Sequence, residues 1–380
     1  MSTLRRILRA FLVPFLALIT ALIVGALVIV FSDPDTLDAW GSFFNNPGNA
    51  LEASWELIYD SYSALFESSL GSKNALSETV VQATPLMLAG LSVALAFRAG
   101  LFNIGAEGQL LAGSLAAGYV GFTYDLPAVV HLPLALLAGF AGGAVWGGIA
   151  GILKARTGAH EVITTIMLNF IALRLTDYLL LTDTYLRPGR SDPISKPVAE
   201  SAELPQLAGD LRIHAGIIVA LLAAYAIWWL LFRSTVGFRF RAVGANPSAA
   251  AYAGMGVGGT YVLAMVLAGG LAGLAGTSTL LGVRKSLIGG FAGFGFDAIA
   301  LALLGRTHPA GVIAASFLFG VLRAGATGMQ AATSTPVDII IVIQALIIAF
   351  MAAPALVRGI YRIRAERVAE AEVFTKTWAT

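Results

Sequence analysis

Long uncharged apolar runs, broken by short polar stretches, set the rhythm of this chain. Residues 11–31 hold 21 positions without a charge, just after Arg5, Arg6 and Arg9. About 20 such residues cross a bilayer as a helix. Further runs fall at Thr79–Phe97, Gly108–Phe122, His131–Leu153, Val162–Thr182, Ile213–Phe232, Gly258–Leu281, Gly293–Leu304, Pro309–Thr327 and Val337–Ala353. The pattern predicts an all-α polytopic membrane protein with about ten transmembrane helices. The run at Gly293–Leu304 is short for a crossing, so some helices are expected to be broken or re-entrant.

The runs divide the chain into a tail and anchor helix (1–31), an extracytoplasmic segment (32–78), a transmembrane core (79–354) and a cytoplasmic C-terminal tail (355–380). The first run exceeds the ~7–15 apolar residues of a signal peptide, and Ser32-Asp33-Pro34-Asp35 lacks a small-residue cleavage site, so it reads as a retained anchor. In the outer segment, Trp40, Trp55, Tyr59 and Tyr62 suit an interfacial helix or a docking surface, and the sequence leaves both open.

Composition agrees with the pattern: 57% of residues are hydrophobic and 12% charged, with a mean hydropathy of +0.80. The 42 glycines suit close backbone packing in lipid. Cysteine is absent, which excludes a disulfide framework, a thiol nucleophile and a cysteine metal site. His131, His160, His214 and His308 lack metal-ligand spacing, so neither a metal site nor catalysis by this chain is expected. A net charge of +2 offers no footprint for nucleic acid. Its distribution says more. With the N-terminus inside and ten alternating spans, 15 of 24 basic residues lie on the cytoplasmic side and seven outside. That bias predicts a multi-pass cell-membrane protein with both ends cytoplasmic.

Within Gly100-Leu-Phe-Asn-Ile-Gly-Ala-Glu-Gly-Gln109 the chain places Asn103, Glu107 and Gln109 at the start of an apolar run, among three glycines. A carboxylate in hydrocarbon costs about 2.5–3.5 kcal/mol on insertion scales, so it is expected to face a bundle interior or a water-filled path. The alternative is a solvated surface loop. A second segment, Arg239 to Gly254, contains Asn246-Pro247 followed by alanines, which predicts a short helix between two spans that Gly254 ends. Its small alanine face suits a groove on a partner. No Gly-Lys dipeptide occurs, so the chain has no phosphate-cradling loop with its lysine. Arg174 and Asp177, three apart on one helix face, are expected to pair.

Four motifs carry a resemblance: Gly100 to Gln109, Ala159-His-Glu-Val-Ile-Thr-Thr-Ile-Met-Leu-Asn-Phe-Ile-Ala172, Arg241-Ala-Val-Gly-Ala-Asn-Pro-Ser-Ala-Ala250 and Gly293-Phe-Gly-Phe-Asp-Ala-Ile-Ala-Leu-Ala-Leu-Leu-Gly305. Together, over roughly Leu76 to Pro354, the chain resembles the permease subunit of an ATP-binding-cassette (ABC) importer. It looks closest to the nucleoside group, related to permeases for ribose and branched-chain amino acids. His160-Glu161 departs from the Asn-Glu expected at that position.

The resemblance implies ATP-driven alternating access for a small polar solute, a nucleoside first and a ribose-like sugar second. ATP and Mg would be used by separate ATPase subunits, with no cofactor in this chain. The other implied partners are an extracytoplasmic solute-binding lipoprotein and a second permease, a shorter paralogue forming a heterodimer. Matching residues suggest a path formed by Phe102, Asn103, Glu107, Gln109, Asn169, Phe294, Phe296 and Asp297. ATPase coupling falls to Arg241, Gly244, Asn246, Pro247, Ala250 and Gly254. For the phenylalanines ordinary packing, and for Asn169 interhelical hydrogen bonding, stand beside the path role. The competing class is an ion-coupled secondary transporter, which also uses broken helices and midplane carboxylates, here Glu107, Asp177, Asp297 and Asp338.

Overall fold

A computed structural model describes residues 2–290 and 293–362. The described chain is helical: α1 (Ser2–Ser32), α2 (Pro34–Gly41), α3 (Pro47–Leu70), α4 (Lys73–Arg98), α5 (Ala106–Thr123), α6 (Ala128–Thr157), α7 (Glu161–Leu180), α8 (Gly216–Arg233), α9 (Thr235–Ala245), α10 (Pro247–Tyr252), α11 (Val257–Thr279), α12 (Phe294–Leu304), α13 (Pro309–Thr333), α14 (Asp338–Ala352) and α15 (Pro354–Ile360). Each of the ten predicted runs coincides with a helix. Seven helices are long and apolar enough to cross a membrane. The other three fall short for visible reasons: α5 opens with Glu107 and Gln109, and α12 and α14 have only 11 and 15 residues.

Local chemistry starts three helices in the same way. Asp33-Pro34, Asn46-Pro47 and Asn246-Pro247 each put a side-chain oxygen before a proline, and the oxygens accept the Thr36, Asn49 and Ala249 amides at 2.9, 3.4 and 2.9 Å. Proline loses nothing at a first helical position, where its missing N–H would lack a partner anyway.

Among the described residues two compact units arise, one within 76–320 and one from 2–75 with 321–362. In the second, Tyr62 donates to Leu22 O at 2.6 Å and Ser61 donates to Thr333 Oγ1 at 3.1 Å. Gly25 lies against Ile343, and Gly325 meets the Leu65 backbone, so small residues set the helix spacing there too.

Within residues 76–320, α4 is the most buried of the candidate spans. Of its apolar window 83% is buried, against 28% for each of α6, α7 and α8, whose outer faces remain open. Helices α5, α6 and α11 meet along glycines. A Cβ on Gly143 would collide with Gly269 O, one on Gly113 with Gly273, and one on Gly139 with Thr277 Oγ1. Backbone this close lets weak dispersion contacts add up where lipid offers helices no hydrophobic drive to associate. After Thr279 the α-helix gives way to a π-helical turn, Leu280–Arg284, whose closing bond runs from Lys285 N to Leu280 O at 2.8 Å. Such turns recur at functional sites.

Candidate functional site

The segment before α5 is held by its own side chains. Asn103 and Gln109 exchange hydrogen bonds at 3.0 and 3.1 Å, and Asn103 Oδ1 also accepts the Gly105 amide at 3.0 Å. Asn169 on α7 bridges to the same segment, donating to Ile104 O at 2.9 Å and accepting the Gly108 amide at 2.8 Å. All four polar side chains, Asn103, Glu107, Gln109 and Asn169, are buried. Gly105 and Gly108 leave no room for a Cβ: one would stand 2.9 Å from Thr165 and from Asn169 Cα respectively.

Glu107 completes this cluster. Its Oε1 accepts the Gly293 amide at 2.9 Å and its Oε2 the Gly295 amide at 2.6 Å, both at the start of α12. Glu107 itself lies in the first turn of α5, so its charge stands where two helix N-termini converge. The position satisfies two otherwise orphaned amides of a helix too short to span. Carboxylate and backbone explain each other's burial here, and Glu107 does not line either of the two cavities described below.

The other residues suggested for a path are placed differently. Phe102 stacks on Phe97 with centroids 4.9 Å apart, Phe296 is exposed, and Asp297 is half-buried in the first turn of α12. Phe294 is buried and lines both cavities. The larger, of about 120 Å³, is bounded by Val81, Gln82 and Pro85 of α4, His214, Ser278, Thr279, Val283, Arg284 and Phe294. The smaller, about 30 Å³, shares Thr279, Arg284 and Phe294 and extends toward Ser114 and Thr176. Sequence reading missed Gln82, His214, Thr279 and Arg284. Gln82 was legible as a polar residue inside an apolar run, whereas the π-turn that presents Arg284 has no signature of its own.

The loop between α7 and α8 folds over this turn. Leu204 N and Val198 N donate to Leu281 O and Lys285 O at 3.0 and 2.9 Å, and Lys285 pairs with Glu203. Arg187 donates to Ser286 Oγ at 2.7 Å. His214 is fixed from below by its neighbours: Ile213 N donates to Ser77 Oγ at 2.9 Å, and Arg212 pairs with Glu78 at 2.9 Å. Burial, with smaller contributions from Lys285 and Arg212, pushes the His214 imidazolium down to about 4, so the ring is neutral near pH 7.

The segment expected to meet an ATPase has the predicted short helix, α10, with Asn246 as its cap and Gly254 at φ +80°. Its faces differ from the sequence expectation in one respect. Ala250 is buried against its own chain (5% exposed), while Tyr252 is 96% exposed, so the open side of this helix presents Tyr252 and not Ala250. A Cβ on Gly244 would lie 2.8 Å from Gly100 N, and one on Gly100 2.9 Å from Gly244 Cα. The end of α9 therefore touches the segment that leads to Glu107. The Arg98 and Arg241 guanidiniums both lie within 6 Å of the Phe232 ring centroid, at 5.7 and 5.5 Å. Glu161 pairs with Lys154 at 2.8 Å, which joins the ends of α6 and α7 beside His160. Arg174 and Asp177 pair as expected, at 3.4 Å on an exposed face. No group of three or more metal-ligating side chains occurs among the described residues.

Seven long apolar helices, with a short apolar helix tied at its N-terminus and a capped elbow between two of the long ones, mark a multi-pass membrane protein. The chain belongs to the family described as branched-chain amino acid transport system / permease component, which matches residues 75–364. It is 42% identical to the guanosine ABC transporter permease protein NupP of Bacillus subtilis, over 91% of this chain and 94% of the relative. It is 37% identical to the glucose ABC transporter permease protein TsgB13 of Haloferax volcanii (89% and 86%) and 34% identical to the nucleoside ABC transporter permease protein NupB of Lactococcus lactis (90% and 91%). No solved structure matches the chain.

Proposed function

We propose that this permease subunit belongs to an ABC importer that carries nucleosides, guanosine foremost, across the cell membrane. The observation that carries the reading is the near full-length similarity to NupP. NupB points the same way, while TsgB13 keeps a sugar as the second reading. Family membership argues against an ion-coupled secondary transporter.

In this reading both termini are cytoplasmic, separate ATPase subunits hydrolyse ATP with Mg, and an extracytoplasmic lipoprotein delivers the solute. A second permease completes the path; Bacillus subtilis has a second guanosine permease protein, NupQ, similar to this chain, which supports such a pairing. The open outer faces of α6, α7 and α8 suit lipid or that second chain.

The contacts support a mechanical route. ATPase closure would move α10 through Tyr252. The Gly244–Gly100 backbone contact would pass that movement to the segment before α5. Glu107, holding Gly293 and Gly295, would carry it to α12, where Phe294 borders the cavities. Rigid elements joined by close contacts can transmit such a shift, and mutational coupling is the evidence that establishes it.

The test is reconstitution of the permease with its ATPase, second permease and binding protein in liposomes. ATP-dependent uptake of guanosine, resisted by excess glucose, is expected. Uptake of glucose alone, or uptake driven by an ion gradient without ATP, would overturn the reading.

A further inference from the structure

The larger cavity holds a polar group without a visible use. His214 is 2% exposed, yet its Nε2 has no hydrogen-bond partner. The ring is pinned between Gly216 and Gly282, since a Cβ on either would collide with it at 2.6 Å. Nδ1 accepts the Gly216 amide at 3.1 Å. A neutral imidazole that accepts at Nδ1 carries its proton at Nε2, so the ring presents a donor to the cavity. A buried donor left without a partner costs free energy, and a ligand or water is the usual explanation.

The surrounding groups define what that ligand must offer. Arg284, exposed at the mouth, adds a planar set of donors, and no hydrogen bond or ion pair engages its guanidinium among the described residues. Thr279 and Ser278 both turn their hydroxyl protons to Ala275 O, at 3.1 and 2.9 Å, which leaves lone pairs for a ligand. Pro85 has no N–H, so it deprives Val81 O of its helical partner beside the cavity. Phe294 supplies an apolar wall. At about 120 Å³ the cavity is smaller than one that holds a benzene ring, about 150 Å³, so it takes the edge of a planar base and not a whole bicyclic one.

We infer that this cavity is a solute station that takes the O6/N7 edge of a purine nucleoside bearing a 6-carbonyl, with His214 and Arg284 donating to that edge and Phe294 as its apolar wall. The inference rests on the nucleoside reading and adds which part of the solute is recognised. Guanine and hypoxanthine present two adjacent acceptors, O6 and N7, which match a guanidinium fork; adenine offers a donor at the 6-position. The rest of the base and the ribose would lie toward the mouth, beside Thr279 and Arg284, which border both cavities.

The experiment compares maximal uptake of guanosine, inosine and adenosine by the reconstituted complex at saturating binding protein, for wild type, Arg284→Gln and His214→Phe. In both variants the guanosine-to-adenosine and inosine-to-adenosine rate ratios are expected to fall about tenfold, with subunit assembly unchanged. Arg284 is exposed, so Arg284→Gln decides even if His214→Phe assembles poorly. A merely structural role would lower all three rates together. Equal losses for all three solutes, or no change in the ratios with Arg284→Gln, would overturn the station and leave the cavity to water. If wild type imports no nucleoside, the proposed function itself fails, an outcome separate from unchanged ratios in a wild type that imports guanosine.

Discussion

The Gly295 amide donates to Glu107 Oε2 at 2.6 Å, and Gly295 owes its lack of a side chain to the same residue, because a Cβ there would collide with the Glu107 backbone. Bond and close approach are one arrangement. Glu107→Ala strands the Gly293 and Gly295 amides, each worth about 1–3 kcal/mol when buried without an acceptor. Glu107→Gln keeps one oxygen but turns an amide NH₂ toward a second N–H. Thermal melts of the detergent-purified protein should therefore rank wild type above Gln and Gln above Ala. An Ala variant that melts with wild type would refute the anchor.

Gly143→Ala should lower both yield and melting temperature. Its new methyl group meets the Gly269 carbonyl, and overpacking costs roughly 1–3 kcal/mol. Gly259→Ala, with nothing within 4 Å of its Cβ, is the matched control and should behave as wild type. Equal behaviour of the two would show that α6 and α11 are less closely apposed.

Tyr252→Asp should leave the protein inserted and folded while uncoupling ATP hydrolysis from uptake, because the side chain is wholly exposed at the tip of α10. Ala250→Arg is a different experiment: it forces a charge into the chain's own packing and should reduce folded protein. Hydrolysis and uptake measured in the same liposomes check both. Intact coupling in Tyr252→Asp would remove α10 from the ATPase contact.

In this cysteine-free chain, single cysteines at Ser191 and Ser248 should react with an impermeant thiol reagent from opposite sides of the membrane. Both positions are exposed, and only α8 among the candidate crossings separates them. Labelling of both from outside would contradict the ten-span topology.

His214 makes stability depend on pH. Its folded value of about 4 lies below the ordinary 6.5, so the unfolded chain binds more protons between these limits. Stability therefore rises with pH across this window: the favourable contribution is complete above 6.5 and is lost as pH falls toward 4. Melting temperature should drop on acidification from pH 7 to 4.5, and His214→Phe should flatten that dependence. An unaltered slope in the variant would show that another group titrates.

Apolar run length located each helix long and apolar enough to cross a membrane, though not the 24-residue polar-faced α3, and the Asn246-Pro247 pair located α10, because both signals are local. The polar residues of Gly100–Gln109 announced a buried cluster correctly in kind. What they could not announce was the partner of Glu107, since the Gly293 and Gly295 amides lie more than 180 residues away and backbone donors have no sequence signature. Charge-free runs also cut helices short: α6 continues past Lys154 and Arg156, whose long stems can carry their charges to the interface. His214 lacked any motif, and its burial follows from Gly216 and Gly282, glycines that resemble all the others in the chain until their neighbours are known.

The seam of α5, α6 and α11 restricts how such a protein can move. Backbones that meet at Gly113, Gly143 and Gly273 have no intervening side chains to change rotamer, so the three helices cannot slip past one another without first separating. They act as a keel: deformation is diverted to the places where the regular winding ends, at Gly100 before α5 and at the π-turn after α11, and Arg284 and Phe294 both line the cavities beside the second of these.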